Sequence, residues 1–496
     1  MAADPRNLAD LVRRAADASP DKTALVGADR SLTWAELDRA VDGVSGALRD
    51  RGLVDGDRVG ILLPNGIDFA TIYFAVLRAG LVALPLNTAY TAPELQHQLA
   101  DSAASLVVTD ATHRELVDAA VLLVDSDDWQ QALTHAPAPA LAVGSEDLAV
   151  LLYTSGTTGR PKGAMLSHRA LLANLDQLSR IDRPVVAADD VVLLVLPLFH
   201  VYGLNAGLGM TARAGATGVL AERFDPVETL ELVRRHGVTN IIGAPPMYVA
   251  WSMLPELSEA MGALRLAVSG AAPLPPDVLA AVREATGRDV YEGYGLTETA
   301  PVLTTTLCSD TAKPGSIGRP IPGVQLRLLD ERGDEAEADD PGEITVRGAN
   351  VFSGYWPDGA GGADADGWFR TGDVAYADSD GDLFLVDRLR ELILVSGFNV
   401  YPREVEDALL THPDIAEVAA LGVPHPYTGE TVKALVVVRD GASLTPSEVI
   451  DYAAGRLARF KCPTSVEIVD ELPHSVTGKV AKGRLREPSD ANATAQ

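Results

Sequence analysis

Residues 153–163 read YTSGTTGRPKG, with hydroxyls, glycines and one lysine packed into a single loop. The apolar run Ala149 to Tyr153 leads into it as a strand. Gly156 and Gly159 let the backbone aim its N–H groups at an anion. Thr154, Ser155, Thr157 and Thr158 add hydroxyl donors, and Lys162 adds a point charge. Such a loop is built to hold phosphate. It is not a Walker A loop, in which Gly-Lys is followed directly by Ser or Thr, because Lys162 stands between Pro161 and Gly163.

Working outward, the chain on both sides alternates short apolar runs with helical periods. RVGILLP, LVALPLN and SLVVTD read as buried strands before the loop, and VVLLVLP, VTNIIGAP, LRLAVSG and DVYEGYG as strands after it. Between them lie helices such as IDFATIYFAVLRAG, DPVETLELVRRHG and PPDVLAAVREATG. Thr33 with Glu36, and Thr91 with Glu94, have capping-box spacing. This alternation predicts crossover units and mostly parallel sheets. From about Gly323 the texture turns to hairpins, VQLRLLD and GEITVRG. Beyond Arg388 a helix, PREVEDALLTH, precedes the strands IAEVAALGV, TVKALVVVRD and TSVEIVDEL, with a helix capped at Thr445 among them. The expected fold is α/β. A large N-terminal domain (1–387) holds parallel-sheet α/β subdomains and a small β subdomain. A smaller, mobile α+β C-terminal domain (388–487) follows, then a polar tail, 488–496, expected to be disordered.

A chain of 496 residues, 47% of them apolar, has the material for more than one core. The net charge of −28 argues against a general binder of nucleic acid or anionic membranes, so positive charge must be gathered locally at any nucleotide site. Cys308 and Cys462 are too few for a disulfide framework and read as small apolar residues. No stretch reaches the roughly 18 apolar residues of a membrane span, and the N-terminus lacks a signal-peptide core, so the cytoplasm is the expected compartment. The sequence is silent on oligomeric state.

The loop does not stand alone. In order along the chain come PLFHVYGL at Pro197, SGAAPL at Ser269, GYGLTET at Gly293, WFRTGD at Trp368, VDRLRELILVSGFNVYPREVE at Val386 and TGK at Thr477. With YTSGTTGRPKG, these resemble the motif series of the adenylate-forming superfamily, which includes acyl- and aryl-CoA synthetases, adenylation domains of peptide synthetases, and luciferases. The resemblance covers nearly the whole chain. It implies that the opening loop grips the β- and γ-phosphates of ATP. Gly270, Ala271, Ala272 and Tyr294 would lie against the adenosine, and Thr297 would donate to a phosphate. Glu298, a hard oxygen ligand, would hold Mg²⁺. Asp373 and Arg388 would bind the ribose. Lys479 would stabilise carboxylate attack on the α-phosphate. Read alone, Lys479 is a solvated charge near the C-terminus, and Lys482 is expected to be just that. The family hinge lies two residues after the arginine of VDR and is normally Asp or Lys; here it is Arg390.

The implied reaction has two steps. A carboxylate attacks ATP to give acyl-AMP and pyrophosphate, and a thiol then displaces AMP. Amino-acid-activating relatives carry an aspartate where this chain has PLFHVYG, so the resemblance points to a CoA ligase. His200 is either a pocket gate or a core histidine. Tyr202, Gly203, Met247, Gly270, Gly293, Gly295 and Val302 would line an apolar pocket. Two-carbon members place tryptophan at the position of Gly295, so glycine is expected to leave a tunnel open. Malonate-activating members place arginine at the position of Gly293. The expected substrate is a medium- or long-chain fatty acid, or else an aryl carboxylate. Gly397 is matched to the pantetheine path of coenzyme A, and Lys461 either meets a CoA phosphate or is solvated. A carrier protein as acceptor, and a non-catalytic sensor, are the rival readings.

Overall fold

A computed structural model describes residues 5–138, 143–154, 161–330, 332–337, 340–388, 393–395, 398–425, 429–474, 480 and 482–485. These residues fall into two compact units. The first holds the described residues up to 154 with 161–325 and 346–369, and the second holds those of 326–345 and from 370 onward. Among the described residues no helix is long and apolar enough to cross a membrane.

Two sheets make up the first unit. The larger runs in the order Arg319–Pro320, Val302–Thr305, Val290–Gly295, Leu266–Ser269, Asn240–Gly243, Val191–Leu194, Thr217–Leu220, Thr23–Val26, Ser31–Thr33. Its six central strands are parallel and its edges antiparallel. The smaller runs Val121–Leu123, Leu106–Thr109, Arg58–Leu62, Val82–Pro85, Leu148–Thr154, Lys162–Ser167, parallel except for the last pair. Helix Ile67–Arg78 is apolar on every side, and residues 69–77 are all buried, as that pattern requires. Helix Trp34–Asp50 buries one stripe that includes Leu37, Val41, Val44 and Leu48. Its start is fixed by the expected capping box: Glu36 N–H donates to Thr33 Oγ1 at 3.2 Å and Thr33 N–H to Glu36 Oε2 at 2.8 Å. Such a cap is worth about 1 kcal/mol.

Strands Gln325–Leu329, Gly342–Arg347, Phe369–Ala377 and Leu383–Arg388, most of whose residues belong to the second unit, form a sheet in chain order. A further sheet runs Phe398–Val400, Ile393–Val395, Gly429–Val438, Ile415–His425, with Ser465–Ile468 also on Gly429–Val438. Helices Pro402–Leu410 and Pro446–Ala454 bring Val405, Leu409, Val449 and Ala453 into a core with Ile393, Val400, Ile415, Val432 and Val436. Thr445 and Glu448 form the anticipated box. Cys308 and Cys462 are free thiols, both half-buried.

One buried side chain makes the first unit sensitive to acid. His168 is 1% exposed and its Nδ1 accepts the N–H of Leu8 at 3.1 Å. Burial lowers its pKa from 6.5 to about 4, with Asp147 opposing the shift. Below pH 6.5 the unfolded chain therefore binds a proton that the folded chain refuses, and stability falls as pH falls. The expected loss from this group is about 2–3 kcal/mol by pH 4.5. Urea unfolding from pH 7.5 to 4.5 should show a shallower acid slope in His168→Asn, which keeps an acceptor but does not titrate there. Parallel slopes would refute the assignment.

Candidate active site

The two described ends of the opening motif lie on paired antiparallel strands. Leu148–Thr154 pairs antiparallel with Lys162–Ser167, and Thr154 stands opposite Lys162 in the last register position. Ser155, Gly156, Thr157 and Thr158 lie outside the described residues. The next helix, His168–Ser179, begins only after the second strand, capped by the Ser167 hydroxyl. Unlike a Walker loop, this motif leads into strand Lys162–Ser167 and not into a helix N-terminus, so no helix dipole follows it directly. The exposed Lys162 ammonium lies 5.4 Å from the Tyr355 ring centroid.

Thr297 and Glu298 occupy a 3₁₀ turn, Thr297–Thr299, just past the strand Val290–Gly295. Glu298 is 9% exposed and accepts a 2.6 Å hydrogen bond from the Tyr355 hydroxyl. No lysine or arginine among the described residues forms an ion pair with it. A carboxylate held this deep without a cation is costly unless a ligand supplies one. One carboxylate completed by substrate phosphates is how Mg²⁺ is commonly bound, so the donor set fits that metal. The chain leaving the turn is gripped by buried carboxamides. Asn350 Nδ2 donates to the Thr299 carbonyl at 2.8 Å, Asn205 Nδ2 to that of Ala300 at 2.7 Å and Asn174 Nδ2 to that of Val302 at 2.8 Å. They hold Ala300 at φ +64°, a left-handed conformation unusual without glycine.

Ala271, the centre of SGAAPL, is likewise left-handed at φ +74°. That loop leaves strand Leu266–Ser269, and the Leu274 N–H is held by the buried Glu292 carboxylate at 3.1 Å. Gly270 is explained by Tyr202: a Cβ there would lie 2.9 Å from the phenol oxygen. Tyr202 opens a π-helix, Tyr202–Gly209, that follows His200, whose Nδ1 accepts the Tyr202 N–H at 3.3 Å. Gly203 is packed 2.5 Å, at its missing Cβ, from the Pro197 carbonyl. Met247 is buried at the start of helix Pro245–Ser252, its methyl 3.2 Å from the Cβ position of Gly243. Burial raises the Tyr202 phenol well above its usual pKa, so it stays protonated. Tyr294 and Gly293 pair with Thr304 and Thr305 across the sheet, and Gly295 pairs with Val302. All these residues sit at or beyond the carboxyl ends of parallel strands, where α/β folds bind ligands.

Gly295 carries a packing constraint as well. A Cβ on it would fall 1.9 Å from the Pro301 carbonyl oxygen and 3.0 Å from Val302 Cα. The returning chain packs on the backbone here, which is a reason for glycine separate from the open-tunnel expectation.

In the second unit, Asp373 is 5% exposed and lies opposite Arg388 in the register of strands Phe369–Ala377 and Leu383–Arg388. The preceding residues of RTGD anchor it. Arg370 Nε donates to Glu343 at 2.6 Å and the Thr371 hydroxyl to the Ile344 carbonyl at 2.8 Å. Lys461 is paired with Glu404 at 2.6 Å. Lys482 is not a solvated charge: it is largely buried and paired with Glu406 at 2.7 Å. Lys479, Arg390 and Gly397 lie outside the described residues. Tyr355, Glu292 and the carboxamides were not anticipated from the sequence. For Tyr355 the available signal was the Gly-Tyr-Trp run at residues 354–356.

The comparisons agree with this geometry. Residues 12–356 match the AMP-binding enzyme family model and residues 404–479 that of the AMP-binding enzyme C-terminal domain. The chain belongs to the AMP-binding enzyme family. It is 39% identical to a feruloyl-CoA synthase of Amycolatopsis sp, covering 95% of this chain and 97% of that one. It is 34% identical to a long-chain-fatty-acid–CoA ligase of Bacillus subtilis, covering 98% and 95%. The crystal structure of ATP-bound MatB from Rhodopseudomonas palustris superposes with a TM-score of 0.90 at 37% identity, covering 97% of this chain and 98% of that one. The chain is thus an acyl- or aryl-CoA synthetase acting through an adenylate, with ATP, Mg²⁺ and coenzyme A as its cofactors. Activation is needed because a free carboxylate has no adequate leaving group at neutral pH. Transfer of AMP to it creates one, and the thiol then displaces AMP.

Proposed function

We propose that the substrate is an aryl carboxylate of hydroxycinnamate type. The observation that carries this reading is Tyr202. Its ring lies across Gly270, and its hydroxyl has no hydrogen-bond partner among the described residues. An aromatic wall with a free phenol suits a flat ring bearing a hydroxyl better than a flexible alkyl chain. The likeness to a feruloyl-CoA synthase supports the same choice. A medium- or long-chain fatty acid is the second reading, favoured by the apolar contribution of Met247 and by the likeness to a long-chain-fatty-acid–CoA ligase. We further infer the roles of the residues. Thr154 to Thr158 and Lys162 take the departing phosphates, Thr297 and Glu298 the nucleotide and metal, Asp373 and Arg388 the ribose, and Lys479 the reacting phosphate. Lys461 and Gly397 serve the thiol substrate, and rotation at Arg390 separates the two steps. The acceptor is coenzyme A rather than a carrier protein, and the reaction takes place in the cytoplasm.

The test is a carboxylate panel that follows pyrophosphate release and acyl-CoA mass. Hydroxycinnamates should be preferred over C8–C16 fatty acids. Tyr202→Phe should lower kcat/KM for 4-hydroxycinnamate about tenfold while leaving unsubstituted cinnamate within about twofold. A fatty acid preferred over every aryl acid would overturn the aryl reading. Pyrophosphate release without thioester would overturn coenzyme A as acceptor.

A further inference from the structure

We propose that Tyr355 is a positioning residue that couples the metal side of the nucleotide site to its phosphate side. It would do so through two separate parts of one side chain. The hydroxyl donates to Glu298 Oε1 at 2.6 Å, and the ring face lies 5.4 Å from the Lys162 ammonium. The proposal rests on the reading of Glu298 as the Mg²⁺ ligand and adds a residue to it.

The backbone explains why Tyr355 can do this. Residues 353–356 lie along the strand that leaves the phosphate loop. Ser353 N–H donates to the Met165 carbonyl at 2.9 Å, Met165 N–H to that of Gly354 at 3.0 Å and Trp356 N–H to that of Gly163 at 2.8 Å. Gly354 is required, with φ +88° and a Cβ position 2.0 Å from the Gly359 carbonyl oxygen. From the other side, Phe352 N–H donates to the Glu298 carbonyl at 2.9 Å, and the Phe352 ring packs edge-on against Tyr355 at 5.1 Å. Tyr355 is therefore fixed to the strand carrying Lys162 and to the turn carrying Glu298.

The chemistry follows from that placement. A phenol donating to a carboxylate makes a short, charge-assisted bond. It occupies Oε1 and so presents Oε2 to a hard cation, in the way that outer hydrogen bonds orient metal ligands. The ring's negative face holds the lysine ammonium at the start of its strand. Losing the hydroxyl should loosen the carboxylate alone, whereas losing the ring should also release the lysine.

Tyr355→Phe and Tyr355→Leu separate the two parts. ATP binding is measured calorimetrically on the full chain without carboxylate, across a series of Mg²⁺ concentrations, with ATP–pyrophosphate exchange alongside. In Tyr355→Phe the Mg²⁺ concentration for half-maximal ATP binding should rise on the order of tenfold. ATP affinity at saturating Mg²⁺ should stay near that of the unaltered protein. Tyr355→Leu should show the same Mg²⁺ shift and, in addition, weaker ATP binding at saturating Mg²⁺. Glu298→Gln, run in parallel, should move the Mg²⁺ dependence at least as far. If it does so while Tyr355→Phe does not, the coupling is refuted and the metal assignment stands. If Glu298→Gln leaves the dependence unchanged, the metal assignment falls and the proposal falls with it. A lowered melting temperature with unchanged Mg²⁺ dependence would reduce Tyr355 to a packing residue and refute the proposal.

Discussion

Lys479→Ala is expected to slow adenylation by about 10²–10³-fold, the usual cost of removing one group that stabilises transition-state charge. Formation of thioester from supplied acyl-AMP should change far less. The asymmetry is expected because the five-coordinate α-phosphate, which Lys479 is proposed to stabilise, forms only in the first step; in the second the thiol attacks the acyl carbon and AMP departs with the electron pair of the broken C–O bond. The neighbouring chain gives the experiment a control. His474 and Val480 form an antiparallel bridge, His474 Nε2 lies 3.1 Å from Glu417, and Lys482 is paired with Glu406. Both ends of the short run containing Lys479 are therefore tied to the second unit. Lys482→Ala breaks a largely buried pair with Glu406, whose Oε1 also accepts the Ala420 N–H at 2.8 Å, and should lower stability without separating the half-reactions. Equal losses in both half-reactions of Lys479→Ala would contradict its role.

The two lysines illustrate what can be read from a sequence. Lys479 is assigned its role by its place in an ordered motif series alone, and Lys479→Ala is the test of that assignment. Lys482 looks equally solvated on paper, yet it is buried because Glu406 meets it from a helix far away in the chain. The same division holds throughout. Capping boxes at Thr33, Thr91 and Thr445 are legible because both halves lie three residues apart. Parallel crossover units are legible because they repeat a period. The hold on the Thr297–Thr299 turn was not legible. Tyr355 reaches Glu298 from 57 residues away, Asn205 reaches Ala300 from 95 and Asn174 reaches Val302 from 128. No local pattern encodes such partners. An isolated asparagine in a helical period reads only as a mild helix disfavourer, and a Gly-Tyr-Trp run only as a turn. The π-helix after His200 was hidden for a related reason: its extra residue per turn is stabilised by packing, with Asn205 holding carbonyls on either side.

Gly295→Ala should be the most damaging single-carbon change in the acyl site. Its Cβ would require the Pro301 carbonyl, 1.9 Å away, to retreat by more than an ångström. That carbonyl accepts the Leu296 N–H at 3.1 Å and the Thr299 hydroxyl at 2.6 Å, so the whole return of the chain must move with it. Asn205, Asn174 and Asn350 resist the motion by fixing the neighbouring carbonyls from buried positions. Overpacking of this kind costs about 1–3 kcal/mol of stability. Displacing Thr297 and Glu298 by about 1 Å should cost on the order of 10²-fold in adenylation. The loss should therefore be uniform across acetate, octanoate and 4-hydroxycinnamate, since the role proposed for the damaged element is toward ATP and metal and not the tail. An open-tunnel role predicts the opposite pattern, with small acids spared and long ones rejected. Pyrophosphate release from the three acids decides between them. A chain-length-dependent loss in Gly295→Ala would mean that the turn relaxes and that the glycine governs substrate size after all.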